Sequence, residues 1–234
     1  MCYNSTNNVS NGKDSLMKPE KAILWDLDGT LLDTLEDLAD GVNHALTQFD
    51  LPTYPLAQIR SFVGNGARRL IVSCLPQGEE DPLFNQVFEE FQRYYKANCR
   101  NKTKPYPGIL PLLRRLQEQG VAMSVVSNKP HAAVVELARE HFEGLLTQAV
   151  GEQAGIPRKP NPDMIRLAIE QLGSLPQNTV YVGDSEVDVA TAINADMDCA
   201  AVSYGFRSEE ELIAAGAKVI CHTVKELREY LIKA

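Results

Sequence analysis

Cysteine is scarce and unpatterned in this chain of 234 residues: Cys2, Cys74, Cys99, Cys199 and Cys221 are odd in number, widely spaced and without a C-x-x-C pair. That spacing argues against a disulfide framework or a zinc site and fits reduced thiols or small apolar fillers. No apolar stretch approaches the ~18 residues of a membrane helix. The amino terminus also lacks the apolar core of a secretory signal, so a cytoplasmic protein without membrane association is expected. Positive charge is short as well: 23 Lys and Arg stand against 31 Asp and Glu, for a net charge of −8. With no basic tract, a nucleic-acid partner is not expected, although a local basic pocket can still hold a small anion. Internal repeats are absent too. What remains is 44% hydrophobic and 23% charged residues, the balance of an ordinary globular protein. The length suffices for one substantial core, or for a core with a small insertion.

Residues 1–20, rich in Asn, Ser, Lys and Gly, read as a flexible tail. Their two sequons, Asn4-Ser5-Thr6 and Asn8-Val9-Ser10, are expected to be chance matches. The first element is the apolar run Ala22 to Trp25, too short for a helix and closed by a glycine turn, as in a buried central strand. Leu35, Leu38, Ala39, Val42, Ala45, Leu46 and Phe49 then follow helical spacing. A proline-containing break at Leu51 to Pro55 and a Gly64-Asn65-Gly66 loop lead into a short helical pattern ending at Leu75. Phe84, Val87, Phe88, Phe91 and Tyr95 give a further stripe, so three helices are expected in succession. After Pro105 and Pro107 the rhythm changes to strand and helix in alternation, which implies a parallel sheet. Strands are expected at Ala122 to Ser127, about Leu145 to Val150, Thr179 to Val182, Ala200 to Ser203 and Lys218 to Cys221. The pattern is a βα core interrupted after its first strand by a helical insert, placed where it could serve as a lid.

Polar residues recur just past these strands, at the edge of an open α/β sheet where ligands bind. Asp26 and Asp28 follow the first strand, with Gly29 and Thr30 behind them. Ser127, Asn128 and Lys129 end the second strand at an expected helix start, a setting suited to phosphate. Lys159 lies in a proline-flanked loop, where its charge could meet a phosphoryl group. Asp184 and Asp188 follow the fourth strand, at a spacing that brings i and i+4 to one face of a helical turn. Paired carboxylates repel unless a cation such as Mg²⁺ joins them. Each group also has an ordinary structural use, as turn, helix cap or solvated charge.

In this order the motifs resemble the haloacid dehalogenase superfamily, from about Lys21 to Ala234. Its phosphatases carry D-x-D-x-T, Ser/Thr, Lys and acidic motifs, met here at Asp26 to Thr30, Ser127, Lys159, and Asp184 with Asp188. The resemblance implies a Rossmann-like doubly wound parallel sheet in residues 21–34 and 104–234, with an all-α helical cap in residues 35–103. It implies that Asp26 is the nucleophile, forming an aspartyl phosphate, and that Asp28 is the general acid and base. Ser127, Asn128 and Lys159 would bind phosphate, and Thr30 would steady the loop that carries Asp28. The cofactor would be Mg²⁺, held by the Asp26 carboxylate, the Asp28 carbonyl and Asp184. Asp188 would support the metal or orient Lys159.

Within the superfamily, Gly64-Asn65-Gly66 and Pro107-Gly108 look most like phosphoglycolate phosphatases. A small phosphorylated metabolite, 2-phosphoglycolate first, is therefore the expected substrate. Specificity is expected in the cap at Arg60, Asn65, Arg68 or Arg69, because a guanidinium suits a substrate carboxylate. A pyrophosphatase, a nucleotidase, a sugar phosphomutase and a phospho-accepting receiver-like module stand as alternatives. Monomer and dimer are equally open.

Overall fold

The computed structural model describes residues 21–233; residues 1–20, with the expected tail and both sequons, lie outside the described residues. In chain order, β1 (Ala22–Trp25) and the short β2 (Leu32–Asp33) precede four helices: α1 (Leu35–Gln48), α2 (Leu56–Phe62), α3 (Gly66–Cys74) and α4 (Phe84–Asn98). The chain returns through β3 (Lys104–Pro105), then α5 (Ile109–Glu118), β4 (Ala122–Pro130), α6 (His131–Phe142), β5 (Gln148–Glu152) and α7 (Asp163–Leu172). It ends with β6 (Thr179–Gly183), α8 (Glu186–Asn194), β7 (Asp198–Val202), α9 (Glu209–Ala214), β8 (Val219–Cys221) and α10 (Val224–Lys233).

Six strands form one parallel sheet in the order β5-β4-β1-β6-β7-β8. β1 lies between β4 and β6, with Ile23 opposite Met123 on one side and Val180 on the other. Every residue of β1 is buried, because helices cover both faces of the sheet. Side chains alternate across it: Ile23 and Trp25 join the core shared with α5, α6 and α10, whereas Leu24 joins Val126, Ile165 and Tyr181 on the opposite face. The carboxyl ends of β1, β4 and β6 therefore lie side by side, at the point where the chain order reverses.

Helices α1 to α4 build a separate apolar cluster around Val42, Leu46, Ile59, Ile71, Val87 and Phe91. Two connections join this layer to the sheet. β2 pairs antiparallel with β3, and Asp37 at the start of α1 accepts hydrogen bonds from the Lys102 and Thr103 amides and the Thr103 hydroxyl. The outgoing and returning segments are thus clasped together.

Three local expectations need correction. The insert has four helices, not three: α2 buries only Ile59, which leaves no apolar stripe for periodicity to detect. β5 starts at Gln148, later than expected. Finally, β4 runs on to Pro130 across a register shift after Val126, so Ser127, Asn128 and Lys129 are extended strand and α6 begins only at His131.

Candidate active site

Asp26 follows β1 directly, and its amide donates to Val182 O at 2.8 Å, extending the ladder with β6. Oδ1 of its carboxylate accepts from Lys159 Nζ at 2.8 Å. Lys159 is buried and donates also to Asp188 Oδ1 and to the Tyr181 hydroxyl, each at 2.8 Å. An ammonium has three hydrogens, and all three have acceptors. Asn128 fixes the loop that presents this lysine, since its side chain accepts from Lys159 N at 2.9 Å and donates to Lys159 O at 3.1 Å. Burial favours the neutral form of Asp26, and Asp188 adds to this. Lys159 offsets them only in part, so the carboxyl is pushed up to about 7.

Asp184 is the first residue after β6, two residues ahead of α8. Its oxygens accept from Thr30 Oγ1 at 3.0 Å and from Phe206 N at 2.7 Å. Asp188 lies within α8, so the two carboxylates converge through the turn rather than along one helical face. Oδ2 of Asp188 takes the Ser185 amide and hydroxyl in a capping box, while Oδ1 takes Lys159 and Tyr181. Burial alone would raise Asp188, but Lys159 and these donors hold it below the ordinary carboxylate value. Among the described residues no cation pairs with Asp184, and burial together with Asp26 and Asp188 raises it well above that value.

The turn after β1 must come very close to Asp184. Gly29 has φ of +89°, and a Cβ there would stand 2.3 Å from Asp184 Oδ2. Only glycine accepts both conditions. Oxygens of Asp26, Asp184 and Asp188 lie within 4.8 Å of one another, all buried. Three carboxylates share one ammonium there, so the cluster carries excess negative charge in a poorly hydrated place. That imbalance and the all-oxygen donor set fit a hard divalent cation. Asp188 is already paired with the Lys159 ammonium, whereas the oxygens of Asp184 accept only from neutral donors, the Thr30 hydroxyl and the Phe206 amide.

Asp28 points elsewhere. Its two oxygens lie 3.0 and 3.1 Å from Lys129 Nζ, which also donates to the Tyr95 hydroxyl of α4 at 2.9 Å. Burial works against the charge on Lys129, but Asp28 and Tyr95 outweigh it and keep the ammonium above its ordinary value. These groups line a cavity of about 360 Å³ between the sheet edge and the helical layer. Asp26, Ser127 and Lys159 form its floor, and Leu38, Val63, Leu70 and Phe91 form much of its roof. Ser127 Oγ accepts from Lys129 N at 3.3 Å and keeps its own hydrogen for a ligand.

Asp26, Asp28, Ser127, Asn128, Lys159, Asp184 and Asp188 are thus brought together at one sheet edge. The four cap residues are not part of this cavity wall. Arg60 donates to Phe206 O at 3.0 Å and to Gly205 O, gripping the loop after β7. Asn65 reaches Glu186 at 3.3 Å. Arg68 forms an exposed pair with Glu79, and Arg69 is exposed on α3. Sequence reasoning gave no individual role at the site to Lys129, to Tyr95 or to the buried Arg207, which pairs with Glu186 at 2.7 Å and donates to Val63 O at 2.6 Å. Lys129 was within reach, since it lies two residues from Ser127. Tyr95 and Arg207 carry no local pattern and are recruited by tertiary contact alone.

Comparison with known proteins agrees with this geometry. The family model of haloacid dehalogenase-like hydrolases matches residues 23–202. A phosphoglycolate phosphatase of Pseudomonas syringae pv. syringae is 33% identical over 216 residues, covering 90% of this chain and 79% of the relative. One from Mannheimia succiniciproducens is 34% identical over 194 residues, covering 80% of this chain and 87% of the relative. Among solved structures, a provisionally assigned phosphoglycolate phosphatase from Lactobacillus delbrueckii subsp. bulgaricus superposes with a TM-score of 0.86 at 37% identity, covering 91% of this chain and 98% of that one.

Proposed function

The chain belongs to the haloacid dehalogenase-like hydrolase family and is a phosphoric monoester hydrolase, and from that premise we propose that it cleaves a small phosphorylated acid, 2-phosphoglycolate first, through a phosphoaspartate on Asp26. The observation that carries this reading is the pairing of two unlike aspartates across one cavity. Asp26 is buried at the strand end beside Lys159, whereas Asp28 faces the cavity from the next turn.

An oxygen of Asp26 attacks phosphorus, and the bond to the ester oxygen breaks. Asp28 delivers its proton to that leaving oxygen, so the alcohol departs neutral. Water then attacks the phosphorus of the acyl phosphate. Asp28 takes a proton from that water, the bond to Asp26 breaks, and inorganic phosphate leaves. Lys159 and Ser127 meet the phosphoryl oxygens, which carry charge throughout both displacements. Mg²⁺, held by Asp26 and Asp184, would screen the nucleophile from the phosphate dianion and polarise the phosphoryl oxygens. The apolar roof of Leu38, Val63, Leu70 and Phe91 keeps bulk water from the acyl phosphate.

Phosphate release measured over a panel of phosphoglycolate, nucleotide monophosphates, pyrophosphate and hexose phosphates tests the reading. Many equivalents of phosphate per protein, with phosphoglycolate preferred, are expected. Retention of a single phosphate would instead indicate a phospho-accepting module, and preference for a nucleotide or pyrophosphate would refute the proposed substrate.

A further inference from the structure

Lys129 has no place in the reaction as described so far, yet it is a buried cation in the cavity wall. Its ammonium donates to both oxygens of Asp28 and to Tyr95, and it lies 4.9 Å from the centre of the Tyr95 ring. Lys159, the other buried cation of this cavity, is committed to Asp26, Asp188 and Tyr181 at the phosphoryl end. Beside Asp28 the cavity therefore offers one buried positive charge, and the facing wall from Leu38, Leu70 and Phe91 is apolar. A cation in that setting selects what sits next to the leaving oxygen.

Resting on the proposed phosphomonoesterase reaction, we propose that Lys129 is the specificity-determining residue that receives a carboxylate on the substrate's leaving group. The stereochemistry is restrictive. Asp28 must touch the ester oxygen to protonate it, and Lys129 touches Asp28. In a 2-phosphorylated carboxylic acid the carboxylate is one carbon from the ester oxygen, and bond lengths alone keep the nearer carboxylate oxygen within about 3 Å of it. One lysine can then reach the carboxylate while its neighbour reaches the ester oxygen. All three hydrogens of the ammonium are already engaged, so the incoming carboxylate takes the place of Tyr95 or of one Asp28 oxygen. A neutral leaving group brings only an uncharged acceptor to that exchange, so Lys129 keeps its bonds to Asp28 and Tyr95 and adds little to its binding.

The test compares 2-phosphoglycolate with its amide, 2-phosphoglycolamide, on the wild-type protein, on Lys129→Met and on Lys129→Arg, all with Mg²⁺. Charge-assisted hydrogen bonds predict a wild-type preference for the acid of about 10- to 150-fold in kcat/KM. In Lys129→Met that ratio should collapse to within about threefold, whatever loss is common to both substrates, mainly through KM of the acid. Lys129→Arg should keep a preference of at least about tenfold, because it retains the charge. The wild-type comparison stands even where a variant does not fold, which thermal melting reports. Equal wild-type efficiency on acid and amide, or an unchanged preference in folded Lys129→Met, would overturn the role of Lys129 and leave the phosphatase reading standing. No phosphate release from either substrate by the wild type would overturn both.

Discussion

The backbone amide of Phe206 donates a 2.7 Å hydrogen bond to Asp184 Oδ2, while the ring of the same residue packs into the apolar cluster of the helical layer. One residue thus connects a candidate metal ligand to the element that roofs the cavity. The grip is reinforced on both sides, since Arg60 donates to the Gly205 and Phe206 carbonyls and Arg207 donates to Val63 O.

Phe206→Ala keeps the amide but removes the ring. It is expected to destabilise the protein by about 3–5 kcal/mol, as for other large buried aromatics, and to raise the Mg²⁺ concentration needed for half-maximal activity. Thermal melting and a Mg²⁺ titration of turnover check the two effects. A stability loss with an unaltered Mg²⁺ requirement would show that the ring and the metal site are independent.

Asp26→Asn should abolish turnover and alter stability with a definite sign. An acid whose value is raised in the folded state binds its proton more tightly there. Asp26 therefore opposes folding progressively as pH rises from its ordinary 3.8 to about 7. In chelator, Asp26→Asn should melt like the wild type at pH 4 and several degrees higher at pH 8. A variant that melts lower at pH 8 would mean that its pairing with Lys159 outweighs the cost of burial.

Lys159→Met removes the one cation shared by Asp26 and Asp188. Breaking a buried pair from one side costs about 3–5 kcal/mol, and loss of the phosphate contact should lower kcat by about 100-fold or more. Chemical denaturation and steady-state kinetics measure these separately. Near-normal turnover in this variant would remove Lys159 from the mechanism.

The raised value of Asp26 also sets the acid side of the pH profile, because the nucleophile must be ionised. At low Mg²⁺ the rate should fall as pH drops below about 7. Higher Mg²⁺ should move that limb to lower pH, since a cation favours the carboxylate. An acid limb that does not move with Mg²⁺ would place the ion away from Asp26.

The sequence made the sheet legible because its strands are short apolar runs ended by chemically distinctive residues. Asp26, Ser127, Lys159 and Asp184 could each be read as a strand-end or loop group before their meeting was visible. α2 was not legible, as only Ile59 of its seven residues is buried. The partners of Arg60 and Arg68 were not legible for a related reason: a basic residue near a glycine loop looks the same whether it faces a ligand, a carbonyl or a solvated glutamate. Their actual partners, Gly205 and Phe206 for one and Glu79 for the other, are tertiary facts. Lys129 shows the same limit from the other side: its place at a strand end suited to phosphate was legible, but its pairing with Asp28 and Tyr95 is visible only in the fold.

The most direct test is to trap the phosphorylated residue. Asp28→Asn removes the group that activates water, so acid-quenched reactions with phosphoglycolate and Mg²⁺ should accumulate an acyl phosphate. Borohydride reduction and peptide mass spectrometry should place it at Asp26, with no label in an Asp26→Asn control. Label on any other residue, or continued phosphate release with no labelled Asp26 peptide, would contradict the account.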